Sequence, residues 1–129
     1  MARADLAQLE PLEQLALVAS STDVLLGMHG AALTYSLYLP PWGALVELWP
    51  KNSDMWRCFE HMATMAGLHY ARWENSSPAA FRVDASGDYT AVDVAAVASM
   101  VAEAAAKVRA QLAARGSAAR AAAQAQASG

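Results

Sequence analysis

Ser21-Thr22-Asp23-Val24-Leu25-Leu26-Gly27-Met28-His29-Gly30-Ala31-Ala32-Leu33-Thr34 is the stretch on which the reading of the fold turns. Val24, Leu25 and Leu26 form a short apolar run ending at Gly27, the pattern of a strand buried on both faces in a parallel sheet. A turn with glycines at 27 and 30 follows, and it leads at once into a helical stretch from Gly30 to Leu39, stopped by Pro40 and Pro41. In open α/β sheets ligands bind at the carboxyl ends of strands, where a helix N-terminus presents N–H groups with no intrahelical acceptor. Small residues at Gly30, Ala31 and Ala32 would let a phosphate approach the backbone, and His29 could donate a hydrogen bond to a phosphate oxygen. The alternative is a tight turn whose histidine caps local backbone.

Working outward, the same alternation continues in both directions. Leu6 to Ala19 reads as a helix with Leu12, Leu15, Ala16 and Ala19 on one face and Pro11 near its start. Ala44 to Trp49 is the next strand, closed by Pro50. A third helix is capped by Ser53, carries Met55, Phe59, Met62 and Ala66 at helical spacing, and ends at Gly67, a residue suited to a left-handed C-cap. Leu68 to Trp73 alternates Leu68, Tyr70 and Arg72 against His69, Ala71 and Trp73, which predicts a third strand. The Ser-, Pro- and Gly-rich stretch Asn75 to Asp88 is expected to be loop. Thr90 and Asp93 resemble a capping box for a final helix, whose stripe Val94, Val97, Val101, Val108 and Leu112 runs to about Arg115. The Ala-rich remainder, 116–129, is expected to be a disordered tail.

Helix and strand in this order predict an α/β fold, a Rossmann-like parallel sheet with helices on both faces. Three strands are few for such a sheet, and the chain opens on a helix, so 1–115 reads as the C-terminal part of a larger domain. Within 129 residues there is room for one domain and a modest core. A formal charge of -3 argues against nucleic acid as the main partner, since phosphate neutralisation needs a basic face. No apolar run is long enough to span a bilayer, and no export signal follows Met1. The single cysteine, Cys58, rules out an internal disulfide and is expected to be a buried thiol.

The stretch Ser21 to Thr34 resembles the signature of glycosyltransferase family 61. The likeness continues through Leu37-Tyr38-Leu39-Pro40, Ala44-Leu45-Val46-Glu47-Leu48-Trp49-Pro50, Gly67-Leu68-His69-Tyr70 and Trp73, covering about residues 10 to 75. In order and spacing these motifs are similar to the C-terminal region of the EGF-domain-specific O-linked N-acetylglucosamine transferases and of the plant xylosyl- and arabinosyltransferases. The resemblance implies a GT-B architecture of two facing Rossmann-like domains, and inverting transfer from a UDP-sugar to a hydroxyl of a protein or polysaccharide. It also implies a compartment, the lumen of the Golgi or endoplasmic reticulum. The chain would be the donor-binding C-terminal half, with UDP-N-acetylglucosamine or UDP-xylose as donor and no further cofactor. Carried over by position, Gly27, Met28, His29, Gly30 and Ala31 would face the pyrophosphate, and Thr34 would lie one turn beyond. Ala32 and Tyr35 depart from the family pattern, which has glycine and histidine there.

Glu47 lies in an otherwise apolar strand and needs a partner. It would accept ribose or sugar hydroxyls, or else form a salt bridge or cap a helix. The catalytic base would come from an N-terminal half or a partner subunit, so no catalytic residue is assigned in this chain. Glu60 and His61 read as solvated surface, and Trp42, Trp49, Trp56 and Trp73 as core or domain interface. No metal-binding spacing occurs among the three histidines. Asn75-Ser76-Ser77 is an N-glycosylation sequon in an expected surface loop. The other reading of the whole is a non-catalytic structural or interaction module derived from a transferase domain.

Overall fold

The computed structural model describes residues 8–49, 57–77, 81–84 and 87–127. Helix α1 (Pro11–Ser21) leads into β1 (Val24–Met28), a 3₁₀ helix (Ala31–Tyr38), β2 (Ala44–Trp49), α2 (Cys58–Met65) and β3 (His69–Glu74). A hairpin, β4 (Phe81–Asp84) and β5 (Gly87–Thr90), precedes the long α3 (Val94–Ala127). The sheet is parallel, in the order β1-β2-β3, with Gly27 paired to Glu47 and Glu47 to Arg72. The central strand β2 is buried along its whole length, which is why its six residues need so little polarity.

Side-chain alternation divides the core into two layers. Leu45 packs with Val18, Leu25, Leu33, Phe59, Ala63 and Leu68, under α1, the 3₁₀ helix and α2. Ala44 and Val46, on the opposite face, pack against Ala104 and Val108 of α3. Helices therefore cover both faces of a three-stranded parallel sheet, compatible with a Rossmann-like fragment.

Several local expectations need correction. The segment after β1 is helical as expected, over Ala31–Tyr38, and its winding is 3₁₀; it carries Leu33 over Gly27, where an added Cβ would lie 2.9 Å from Leu33 Cδ2. Asn75 to Asp88 is not all loop, since Phe81–Asp84 pairs antiparallel with Gly87–Thr90. The cap of α3 is Asp93, whose Oδ1 accepts the Ala96 N–H at 3.0 Å, and Thr90 belongs to β5. Helix α3 continues through Gly116 to Ala127, where a disordered tail was expected. Ala, Arg and Gln sustain it there, and one interior glycine costs only about 1 kcal/mol. Cys58 is exposed. It opens α2 one residue before Phe59, and it is Phe59 and Ala63, four apart, that turn inward. Leu6, Pro50, Ser53, Met55 and Trp56 lie outside the described residues. Gly67 is as expected: its φ of 71° ends α2 in the left-handed conformation.

Gly43, immediately before β2, has no space for a side chain. A Cβ would meet Pro40 O at 2.9 Å, Leu39 Cβ at 3.1 Å and Asp23 O at 3.2 Å, two of them backbone oxygens that cannot swing aside. Gly43→Ala is expected to destabilise the fold by about 2–3 kcal/mol, at the upper end of overpacking effects, as read by urea denaturation.

Candidate functional site

The parallel register sets one row of residues along the carboxyl edge of the sheet. The ladder extends one step past β1, where the His29 N–H donates to Leu48 O at 2.8 Å, and one step past β3, where the Asn75 N–H donates to Trp49 O at 3.2 Å. Alternation then turns Glu47, Trp49, Tyr70 and Arg72 to the face covered by α2 and the 3₁₀ helix.

Glu47 is 0% exposed, and a carboxylate so placed must have both oxygens engaged. It does. His29 Nδ1 is hydrogen-bonded to Oε1, and the Tyr70 hydroxyl donates to Oε2 at 2.5 Å. The His29 ring is packed against Trp49, with centroids 4.5 Å apart, and stands edge-on to Phe59 at 5.2 Å. A quarter of the His29 side chain stays exposed, 25% against 1% for Glu47. The Arg72 guanidinium lies 5.1 Å from the Trp49 ring centre and 3.3 Å from Glu74. Arg72 Nη1 and Trp49 Nε1 are buried donors with no acceptor among the described residues. The edge is therefore rich in donors, as an anion site requires.

Burial, and next the hydrogen bond to and the charge of Glu47, push the Tyr70 hydroxyl well above the ordinary tyrosine value. The sign follows directly. A raised folded-state value contributes stability that is fully present below the unfolded value of about 10 and lost as pH rises above it. Urea midpoints are expected to fall between pH 9.5 and about 11 in the wild type, and Tyr70→Phe is expected to remove that component of the fall.

Of the residues expected at the site, the structure brings His29 and Glu47 into contact and leaves Gly30 and Ala31 at the start of the 3₁₀ helix. The first bond of that helix runs from the Leu33 N–H to Gly30 O, so the Ala31 and Ala32 N–H groups precede its ladder. Gly30 itself is extended, a conformation open to any residue. Thr34 is exposed, but its hydroxyl donates back to Ala31 O at 2.7 Å. Met28 projects to the α3 side of the sheet, opposite Glu47. Gly27 serves packing beneath Leu33. Asn75 is 6% exposed, its Nδ2 donates to Thr90 Oγ1, and its Oδ1 accepts the Ser77 N–H at 2.9 Å. Its amide nitrogen thus ties β3 to β5, unlike that of an asparagine presented on a surface loop.

The sequence allowed His69 or Tyr70 to approach the cleft, with packing the favoured reading, but did not pair Tyr70 with Glu47, and it missed Arg72 and the buried Trp49 N–H. The alternation on β3 had set Tyr70 and Arg72 on one face, but the register that brings them beside Glu47 is a tertiary fact. Among the described residues no three His, Cys, Asp or Glu side chains converge as metal ligands. None of the described helices is long and apolar enough to cross a membrane.

No family model matches the chain. Over 60 residues, 46% of its length, it is 42% identical to the EGF domain-specific O-linked N-acetylglucosamine transferase of Mus musculus. It is 42% identical over 66 residues to that of Gallus gallus, and 40% identical over 57 residues to that of Drosophila melanogaster. The chain is related to glycosyltransferases. It spans only 11–12% of the length of these relatives.

Proposed function

We propose that the chain is the donor-binding part of a UDP-sugar-dependent glycosyltransferase of the family 61 type, and that His29 faces the donor diphosphate. The observation that carries this reading is a partly exposed imidazole, anchored by a buried carboxylate, at the carboxyl end of a parallel strand and the start of a helix. The helix N-terminus and His29 would stabilise the charge that develops on the leaving diphosphate as an acceptor hydroxyl of a protein or polysaccharide displaces it with inversion. In this reading residues 1–115 form the nucleotide-facing half of a GT-B cleft in the Golgi or endoplasmic reticulum lumen. The general base lies on the other half, and UDP-N-acetylglucosamine and UDP-xylose are the first donors to try.

Calorimetric titration of UDP, UDP-N-acetylglucosamine and UDP-xylose into the chain tests the reading. Saturable binding is expected, weakened at least tenfold in His29→Ala, since a hydrogen bond to a charged group contributes about 1.5–3 kcal/mol. No heat at millimolar ligand would sink the proposal.

One observation favours the second reading, an interaction module. An open groove of about 510 Å³ runs beside β1, between Ser21 to Val24 and the α3 residues Val101, Ala105, Val108, Arg109 and Leu112. Loss of UDP binding with the fold intact is the outcome that shifts weight to this reading.

A further inference from the structure

We propose that Glu47 and Tyr70 are positioning residues that set the His29 imidazole for the donor through a buried hydrogen-bonded chain, and that Glu47 does not touch the ligand. This rests on the donor-site reading for its ligand, but not for its geometry. Both Glu47 oxygens are already engaged, one by His29 and one by Tyr70, and the side chain is only 1% exposed. A ribose or sugar hydroxyl has no route to it.

An ionised carboxylate only accepts hydrogen bonds, so the His29 nitrogen facing it must carry the proton. That fixes Nδ1 as the inward N–H and leaves Nε2 on the ring edge turned away from Glu47. A half-turn of the ring about Cβ–Cγ would put Cδ2 where Nδ1 stands and forfeit the bond to Glu47, while Trp49 and Phe59 pack against the ring in its present plane. Tyr70 completes the arrangement from the next strand. Its hydroxyl holds the second oxygen, so the carboxylate cannot rotate away from His29. A buried charge with two fixed partners is a costly way to fill core volume that leucine would fill better. The arrangement earns its place only by orienting something, and the imidazole it holds, a quarter exposed at the end of β1, is placed to meet a ligand.

Glu47→Gln and Tyr70→Phe keep the shapes of the side chains and test the chain of contacts. Imidazole ¹⁵N NMR of His29 is expected to show Nδ1 protonated in the wild type and a mixture of protonation sites in Glu47→Gln, with no ligand needed. UDP affinity is expected to fall about tenfold in Glu47→Gln, the lower end of effects seen for partners of ligand-binding groups, and several-fold in Tyr70→Phe. Should Glu47→Gln fail to fold, Tyr70→Phe carries the same two readouts, with a shifted Nδ1–H resonance expected. An unchanged His29 spectrum in the variants overturns the proposal, whether or not UDP binds. If UDP binds, is lost in His29→Ala, and is indifferent to both other variants, the positioning role falls while the donor site stands. If UDP does not bind the wild type, the donor reading fails and the positioning role falls with it for want of a ligand, although the spectrum still decides whether the contact chain exists.

Discussion

Glu47→Ala is expected to destabilise the chain by about 3–5 kcal/mol, more than the loss of a surface ion pair by several-fold. The size comes from what remains behind. Glu47 is enclosed on the central strand, and truncation leaves the His29 N–H and the Tyr70 hydroxyl without their acceptor while opening a void. Each stranded donor loses its partner, at about 1–3 kcal/mol apiece. Urea denaturation at neutral pH checks this, with Glu47→Gln as the control that keeps the volume and must lie between wild type and alanine. A loss below about 1 kcal/mol for Glu47→Ala would mean that water replaces the carboxylate freely, and the enclosed contact chain would then be wrong.

Leu45→Ala, two residues earlier on the same face, is expected to cost about 3–5 kcal/mol for a different reason. Leu45 is 0% exposed and is surrounded by Val18, Leu25, Leu33, Phe59, Ala63 and Leu68, which come from five different segments of the chain. A strand with neighbours on both sides cannot sink into the space, so most of the cavity remains. Domains of this size are stable by only about 5–15 kcal/mol, so the variant should melt about 10 °C lower or more. The two substitutions separate two kinds of burial on one strand. Repacking Leu45 as Met should recover most of the lost stability, whereas no apolar residue at 47 restores the His29 contact.

Position 45 also indicates why the site and the core are hard to vary independently. His29 touches Phe59, and Phe59 belongs to the cluster that encloses Leu45. A cavity at 45 that lets α2 settle inward would move the ring against which His29 stands. The expected consequence is a weaker UDP response in Leu45→Ala even where the protein stays folded, a coupling that surface variants such as His61→Ala should not show.

The chain by itself determined the alternation. The apolar run from Ala44 to Trp49 and the C-capping Gly67 are local signals, because burial on both faces and positive φ leave marks in residue type; the apolar triplet before Gly27 marked a strand too, but one that buries only Leu25 and leaves Leu26 exposed. His29 was legible for the same reason, as a polar side chain at a strand-to-helix turn. Glu47 was legible as a misfit, a charge in an apolar run. Its role was not, since acceptance of a sugar hydroxyl and a buried contact with His29 look identical along the chain.

Only the tertiary structure decided which residues meet. Tyr70 lies 23 positions from Glu47 and His29 lies 18, and their contact depends on strand register, which shifts every pairing if it slips by one residue. The exposure of Cys58, the burial of Asn75 and the 3₁₀ winding over Gly27 were decided there too. Each depends on what packs from a distant segment, and helix or turn propensity carries no information about that. Residue type set where strands and turns fall, while the sheet's register and the helices laid across it made a buried carboxylate the anchor of a partly exposed histidine.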